Sequence, residues 1–252
     1  MLLTSHTYEN GKNEQSHQDP SLCELMMGEP ADVSRVVFPA DANTAAAALE
    51  GCFKSRGQVW TLVVPKRDVS VHFSGPAARE AVKDGGLVLH ADQGPKLVLT
   101  AIGGYQLGEV LRASERLGER GVAHQVVYLL EPRRFAQPRS RREEATCHPR
   151  TVLEAFYLDG ARARLFVTHT RSGRISGLLQ SVDTGAGTLA LGYRNEGGTL
   201  NEGGMLFVNH QSWAHVLDAA GRLLGMERRQ LLSPEEIEAL DGRRSPHGLV
   251  LP

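Results

Sequence analysis

The sequence predicts an α/β protein with mainly parallel sheets flanked by helices, on three observations. Short apolar runs alternate with stretches of helical spacing, the alternation twice completes a β-α-β unit, and glycine or proline marks the junctions. In the first unit, Ser34-Arg35-Val36-Val37-Phe38-Pro39 reads as a short buried strand. Asn43 to Phe53 is alanine-rich and reads as a helix, and Gln58 to Val64 is a second strand closed by Pro65. The two strands are expected to be parallel neighbours.

The second unit is cleaner. Lys96 to Ile102 is a buried strand ending in Gly103-Gly104, and Leu107, Val110, Leu111 and Leu117 then fall at helical spacing, closed by Gly118 and Gly121. Gln125 to Leu130 is the return strand. Between the units, Gly75 to Pro95 mixes glycine, proline and charge, and a domain boundary is expected there, giving domains 1–75 and 76–252. Glu131 to Arg150 carries six arginines and three prolines with no apolar period, and reads as a solvated loop. Arg164 to Thr168 reads as a further strand, and Trp213, Val216, Leu217, Ala220 and Leu224 as one face of a further helix. Ser233-Pro234-Glu235-Glu236 has the features of a helix start, with a serine cap, proline in the first turn and a glutamate able to close a capping box.

With 252 residues the chain can bury about three quarters of its unfolded surface without staples. Apolar residues make up 41% and charged residues 23%, and the formal net charge of −1 supplies no general attraction to nucleic acid or anionic membrane. Cys23, Cys52 and Cys147 are dispersed, which argues against a disulfide framework or a structural zinc site and fits a reducing compartment. The start lacks a secretion signal and no run is long enough to span a membrane, so a soluble, cytoplasmic protein is expected. No metal ligands are assigned.

The densest polar chemistry lies in Ser5 to Pro20, where His6, Tyr8, Asn10, Lys12, Asn13, His17 and Gln18 share a run with no strand or helix expected to carry it. Histidine exchanges protons near neutral pH, and asparagine and glutamine orient hydroxyls, so the set suits a polyhydroxylated substrate with a phosphate tail. A flexible polar terminus without function has the same composition. Other signals are weaker. The Asn-Glu-Gly-Gly repeats at 195–198 and 201–204 read as tight turns, Gly103-Gly104 lacks the spacing of a dinucleotide fingerprint, Cys147-His148 reads as incidental, His124 and His169 read as structural histidines, and Trp213 reads as core.

His6 through Pro20, ending in Ser-His-Gln-Asp-Pro, resembles the signature loop of the phosphoketolases, thiamine diphosphate-dependent relatives of transketolase. The resemblance continues through Asp32 to Thr44 and, more loosely, from Thr168 to Asn209. It implies part of a pyrimidine-binding-type domain with the substrate loop, followed by a transketolase C-terminal-like domain. By resemblance, His17 and Asn13 face the ketose hydroxyls and the thiamine-bound intermediate, and His6 lines the same channel. Arg67 grips the substrate phosphate, and Lys12, where the family usually has histidine, is a second phosphate contact. Lys12-Asn13-Glu14-Gln15 departs from the common His-Asn-Gly-Phe.

The Gly-Asp-Gly motif that holds diphosphate and magnesium in the family does not occur in the sequence, and the activating glutamate lies upstream in the family. The implied function is therefore the substrate-side component of a phosphoketolase-like carbon–carbon lyase (an aldehyde-lyase of pentose phosphate carbohydrate metabolism). Such a component acts on ketose phosphates of the xylulose 5-phosphate or fructose 6-phosphate type and is inactive alone. Thiamine diphosphate and magnesium require a second chain, in a homo- or hetero-oligomer. Two alternatives remain on sequence: a non-catalytic assembly or regulatory module, and a cofactor-independent sugar-phosphate epimerase using His6 and His17.

Overall fold

A computed structural model describes residues 1–9, 19–157, 161–182 and 187–250. It forms two sheets that meet end to end. The first contains β1 (Leu2–Ser5), β2 (Ser34–Val37) and β3 (Val59–Val64), with helix α1 (Ser21–Gly28) before β2 and α2 (Ala42–Lys54) between β2 and β3. Its order is β1-β3-β2, all parallel, so the predicted first unit stands. The polar run does follow a strand, contrary to the expectation that nothing carried it. β1 escaped notice because it is four residues long and lies at the sheet edge, where Leu2 and Leu3 are exposed.

The second sheet follows α3 (Gly75–Asp84) and has the order β4-β6-β5-β7-β8. Its strands are β4 (Gly86–Ala91), β5 (Leu97–Ile102), β6 (His124–Leu129), β7 (Ala163–Thr168) and β8 (Thr188–Leu191), with α4 (Gly104–Glu119) joining β5 to β6. Only the edge strand β4 runs antiparallel. Helices α5 (Arg150–Phe156) and α6 (Ser172–Leu178) flank β7. After β8 come α7 (Glu202–Val208), α8 (Trp213–Leu224), α9 (Arg228–Leu231) and α10 (Pro234–Leu240). The serine cap and glutamate of the predicted box are in place at α10, with the Ser233 hydroxyl accepting from the Glu236 amide at 3.2 Å.

Every residue of β5, β6 and β7 is buried, because both faces of the sheet are covered. Alternate side chains feed two cores. Leu97, Leu99, Val126 and Leu165 pack with α4, α8 and, from the first sheet, Val37, Trp60 and Leu62. Val98, Val127 and Phe166 point the other way, with Val36, Phe38 and Val63. Burying one such aliphatic side chain contributes about 1.5–3 kcal/mol, so the shared cores bind the sheets into one body.

The joint is also polar. Phe38 donates its amide to the Leu130 carbonyl at 2.8 Å, and the Tyr128 hydroxyl donates to the Phe38 carbonyl. Asp41 caps α2 by accepting from the Thr44 amide, and its second oxygen accepts from the amides of His72 and Phe73, each at 2.8 Å.

The Glu131–Arg150 segment is not a solvated loop. It forms two short 3₁₀ turns, and Arg133 is buried against Glu143 at 2.8 Å. Glu143 also accepts from Arg139 and from the Ala31 amide, and these donors hold its carboxyl down at about 2 against the cost of burial. The second Asn-Glu-Gly-Gly repeat starts a helix, not a turn: the Asn201 side chain accepts from the Gly204 amide at 2.8 Å and caps α7.

Candidate functional site

In open α/β sheets, ligand sites form beyond the carboxyl ends of strands. Here the carboxyl ends of β1, β3, β5 and β7, drawn from both sheets, converge. His6 and Thr7 follow β1, Lys66 and Arg67 follow β3, Gly103 follows β5 and His169 follows β7. Gly103 has φ of +113° and ψ of 147°, a backbone region open essentially only to glycine, and a Cβ there would lie 2.4 Å from Gln106 Oε1 and 3.1 Å from His6 Nε2. At Gly104 a Cβ would meet the Ala40 carbonyl at 2.9 Å. The glycine pair is therefore what lets the second sheet approach the first.

His6 is fully buried at this junction. Its ring stands edge-on to His169, with centroids 4.3 Å apart, and to Tyr105 at 4.7 Å. Burial, reinforced by His169, lowers its pKa well below the ordinary histidine value, so the imidazole is neutral. Among the described residues neither ring nitrogen makes a full hydrogen bond, although the Gln106 side chain, which favours the protonated ring, lies beside it. The Tyr8 hydroxyl and Gln106 Oε1 are likewise buried without a full hydrogen bond among the described residues.

His169 has a defined tautomer. The Thr7 amide can only donate, and it donates to His169 Nε2 at 2.9 Å, so that nitrogen carries the lone pair and Nδ1 the proton. Burial pushes the His169 pKa down to about 3, which keeps this bond intact at neutral pH. Gln106 is fixed the same way. Gln211 donates through Nε2 to the Thr168 carbonyl at 3.0 Å, so its Oε1 accepts from Gln106 Nε2 at 2.9 Å, which leaves Gln106 Oε1 as an acceptor aimed at the site. The interior thus offers an acceptor amide, a neutral imidazole and a phenol: groups suited to binding hydroxyls and exchanging protons with them.

The rim is charged. Glu9 Oε1 accepts from the Lys66 amide and the Tyr105 hydroxyl, both at 2.7 Å, and ties the end of β1 to the end of β3 and the start of α4. Arg67 is well exposed and pairs with Glu202 at 2.9 Å. It lines a cavity of about 480 Å³ with Asp68, His72, Tyr105, Glu109 and Glu202. The structure thus brings His6 and Arg67 to one region, with Arg67 already holding a carboxylate. Lys12, Asn13 and His17 lie outside the described residues. Tyr105, Gln106, Gln211 and the site-lining position of His169 were not found from sequence; the available signal was their place just beyond strand ends or near the glycine pair.

Residues 1–55 match the family model described as D-xylulose 5-phosphate/D-fructose 6-phosphate phosphoketolase. The chain is related to the phosphoketolases and has a transketolase-type fold. Among similar curated proteins, a probable phosphoketolase from Pseudomonas putida is 34% identical over 124 residues, covering 48% of this chain and 16% of that protein. Another from Bifidobacterium animalis subsp. lactis is 23% identical over 218 residues, covering 83% and 26%. The chain therefore spans only 16% and 26% of the length of these two relatives.

The transketolase from Leishmania mexicana superposes with a TM-score of 0.68 at 16% identity, over 90% of this chain and 30% of that one. A chain described as a split gene transketolase, inactive beta4 tetramer, superposes with a TM-score of 0.63 at 17% identity, over 89% and 65%. The site is well supplied with groups that bind hydroxyls. Magnesium takes several oxygen ligands, and the Glu9 oxygen Oε1 is committed to the Lys66 amide and Tyr105 hydroxyl. That oxygen is therefore not a free ligand for magnesium. No described helix is long and apolar enough to cross a membrane.

Proposed function

We propose that this chain is the substrate-side component of a phosphoketolase-like enzyme acting on ketose phosphates of the xylulose 5-phosphate or fructose 6-phosphate type. Thiamine diphosphate and magnesium are held by a partner chain, in a cytoplasmic oligomer serving pentose phosphate metabolism. The observation that supports the proposal is the buried cluster of His6, Tyr8 and Gln106 at a junction of strand ends, with the His6 ring nitrogens, the Tyr8 hydroxyl and Gln106 Oε1 lacking a full hydrogen bond among the described residues, and with His6 and Tyr8 inside the family-matched residues 1–55. His6 and His17 exchange protons with sugar hydroxyls, and Asn13 orients the reacting sugar. Arg67 and Lys12 anchor the phosphate, with Arg67 leaving Glu202 to do so. The idea of divided chains is supported by the likeness in fold to a protein described as a split gene transketolase. Neither the assembly module nor the epimerase is favoured by the relatives found.

The test is calorimetric titration of the full chain with xylulose 5-phosphate and with xylulose, in the wild type and in Arg67→Ala. A charge-assisted contact contributes about 1.5–3 kcal/mol, so the phosphorylated sugar is expected to bind roughly tenfold to a hundredfold more weakly to the variant. Binding of the free sugar is expected to stay unchanged. Equal weakening of both sugars refutes the phosphate role, and no binding of either by the wild type refutes the substrate-side reading.

A further inference from the structure

At the opposite end of the second sheet, three residues that the proposed sugar site does not use come together. His90 and Asp92 lie at the end of β4, and His124 is the first residue of β6. Because β4 is antiparallel, its end lies beside the amino end of β6. The sugar site sits beyond the carboxyl ends, about 20 Å away along six-residue strands. The pairing register shifts between Val88 and His90, a bulge of the kind that re-aims side chains on an edge strand. His90 Nε2 lies 3.2 Å from Asp92 Oδ1, and His124 Nδ1 lies 3.5 Å from Asp92 Oδ2. One ligand atom from each residue falls within 4.8 Å of the others.

We propose that His90, Asp92 and His124 bind a divalent transition-metal ion of the zinc class and clamp β4 to β6. Ligand atoms about 2.0–2.1 Å from a tetrahedral zinc stand about 3.3 Å apart, close to the 3.2 and 3.5 Å that separate each imidazole from an Asp92 oxygen. Two imidazoles and one carboxylate select zinc, cobalt, nickel or copper over magnesium or calcium. Asp92 is held in place by accepting from the His124 amide at 3.0 Å, while its own amide donates to the His124 carbonyl at 3.1 Å.

The ring of His124 is set up for the exchange. Its Nδ1 lies 2.8 Å from the Val122 carbonyl, which can only accept, so without metal that nitrogen carries the proton and the Ser114 hydroxyl donates to Nε2 at 2.7 Å. With metal, the Nδ1 lone pair becomes the ligand and the proton resides on Nε2, which donates to Ser114 Oγ. An outer hydrogen bond of this kind commonly fixes a metal-bound imidazole. The proton count of the ring does not change, and the Val122 carbonyl gives up its 2.8 Å contact with Nδ1 to the ion. His124 is buried while His90 and Asp92 are about half exposed, so an ion enters from one open side. The clamp also closes the end of an edge strand that would otherwise be open to pairing with another chain.

The test uses the full, tag-free chain after dialysis against a chelator. It is titrated with zinc by calorimetry and with cobalt by visible absorption, in the wild type, His90→Gln and Asp92→Asn. Both substituted side chains are partly exposed, so both variants are expected to fold, with circular dichroism as the check. The expected result is one zinc per chain, intense tetrahedral cobalt bands, and at least tenfold weaker zinc binding in each variant. Absence of zinc binding by the wild type overturns the proposal. So does undiminished binding in both folded variants, which would assign the metal to other histidines.

Discussion

Lowering the pH from 7 to 5 is expected to destabilise the fold through His169, and the size follows from its burial. In the unfolded chain the imidazole titrates near its ordinary value of 6.5, while in the folded chain it is held to about 3 by burial. Between these values the unfolded state binds the proton and the folded state does not, so stability falls as the pH falls through this window. At pH 5 the linkage amounts to about 2 kcal/mol, against a few tenths at pH 7. The groups around the ring are His6, Tyr8, Phe38 and, with Sγ 3.9 Å from Nδ1, Cys23. None carries a negative charge in this range, and burial also pushes the Cys23 thiol up to about 12. The informative variant is His169→Gln, whose amide oxygen can still accept from the Thr7 amide but cannot titrate. Urea unfolding at pH 7 and pH 5 measures the loss. The wild-type unfolding free energy is expected to fall by about 2 kcal/mol more than the variant's, which lowers the midpoint by about 1 M urea at an ordinary slope. His6 and His215 add to the loss in both proteins because their pKa values are also lowered by burial, so only the difference between the proteins reports on His169. Identical losses in the two proteins would refute the buried, neutral assignment.

Three further substitutions test the glycine joint at the site and the buried Glu143 cluster. Gly103→Ala places a methyl 2.4 Å from Gln106 Oε1 at a backbone angle reserved for glycine, and is expected to cost about 1–3 kcal/mol and lower the melting temperature by several degrees; an unchanged melting temperature would show that the close approach is relaxed. Glu143→Gln leaves Arg133 buried without its counter-charge and is expected to cost about 3–5 kcal/mol, whereas Arg139→Ala, at the half-exposed end of the same cluster, is expected to cost under about 1 kcal/mol; equal losses by thermal denaturation would contradict the burial difference.

What the sequence discloses depends on how each element meets its neighbours. The β5-α4-β6 unit is legible because its strands are buried on both faces and read as continuous apolar runs, and because α4 faces the core with large aliphatics at regular spacing. Helix α3 is nearly invisible because its buried residues are Ala78 and Ala81, too small to show a period, and β4 because an edge strand is only partly buried. The arginine-rich segment misleads for a different reason. Arg133 and Glu143 satisfy each other in the interior, and composition counts the charges without seeing the pairing. In the site, His6 is legible through resemblance to a known loop. Its neighbours His169 and Gln106 are 163 and 100 positions away along the chain, and only the strand order brings them together.

The division between interior and rim bears on how a sugar phosphate would be recognised. The groups closest to His6 are neutral, and a neutral imidazole beside an unsatisfied amide oxygen gains most from a hydroxyl, which can donate to one and accept from the other. A phosphate placed there would lose its hydration against groups with no charge to offset it. Arg67, by contrast, stays in solvent beside Glu202, where an ion pair contributes little and is screened by salt. Exchanging that carboxylate for a phosphate therefore requires little energy, and a more highly charged anion with geometry for paired hydrogen bonds competes well for the guanidinium. On this reasoning the buried groups would select a sugar's hydroxyl pattern, and the exposed arginine would add affinity for a phosphate that weakens as ionic strength rises.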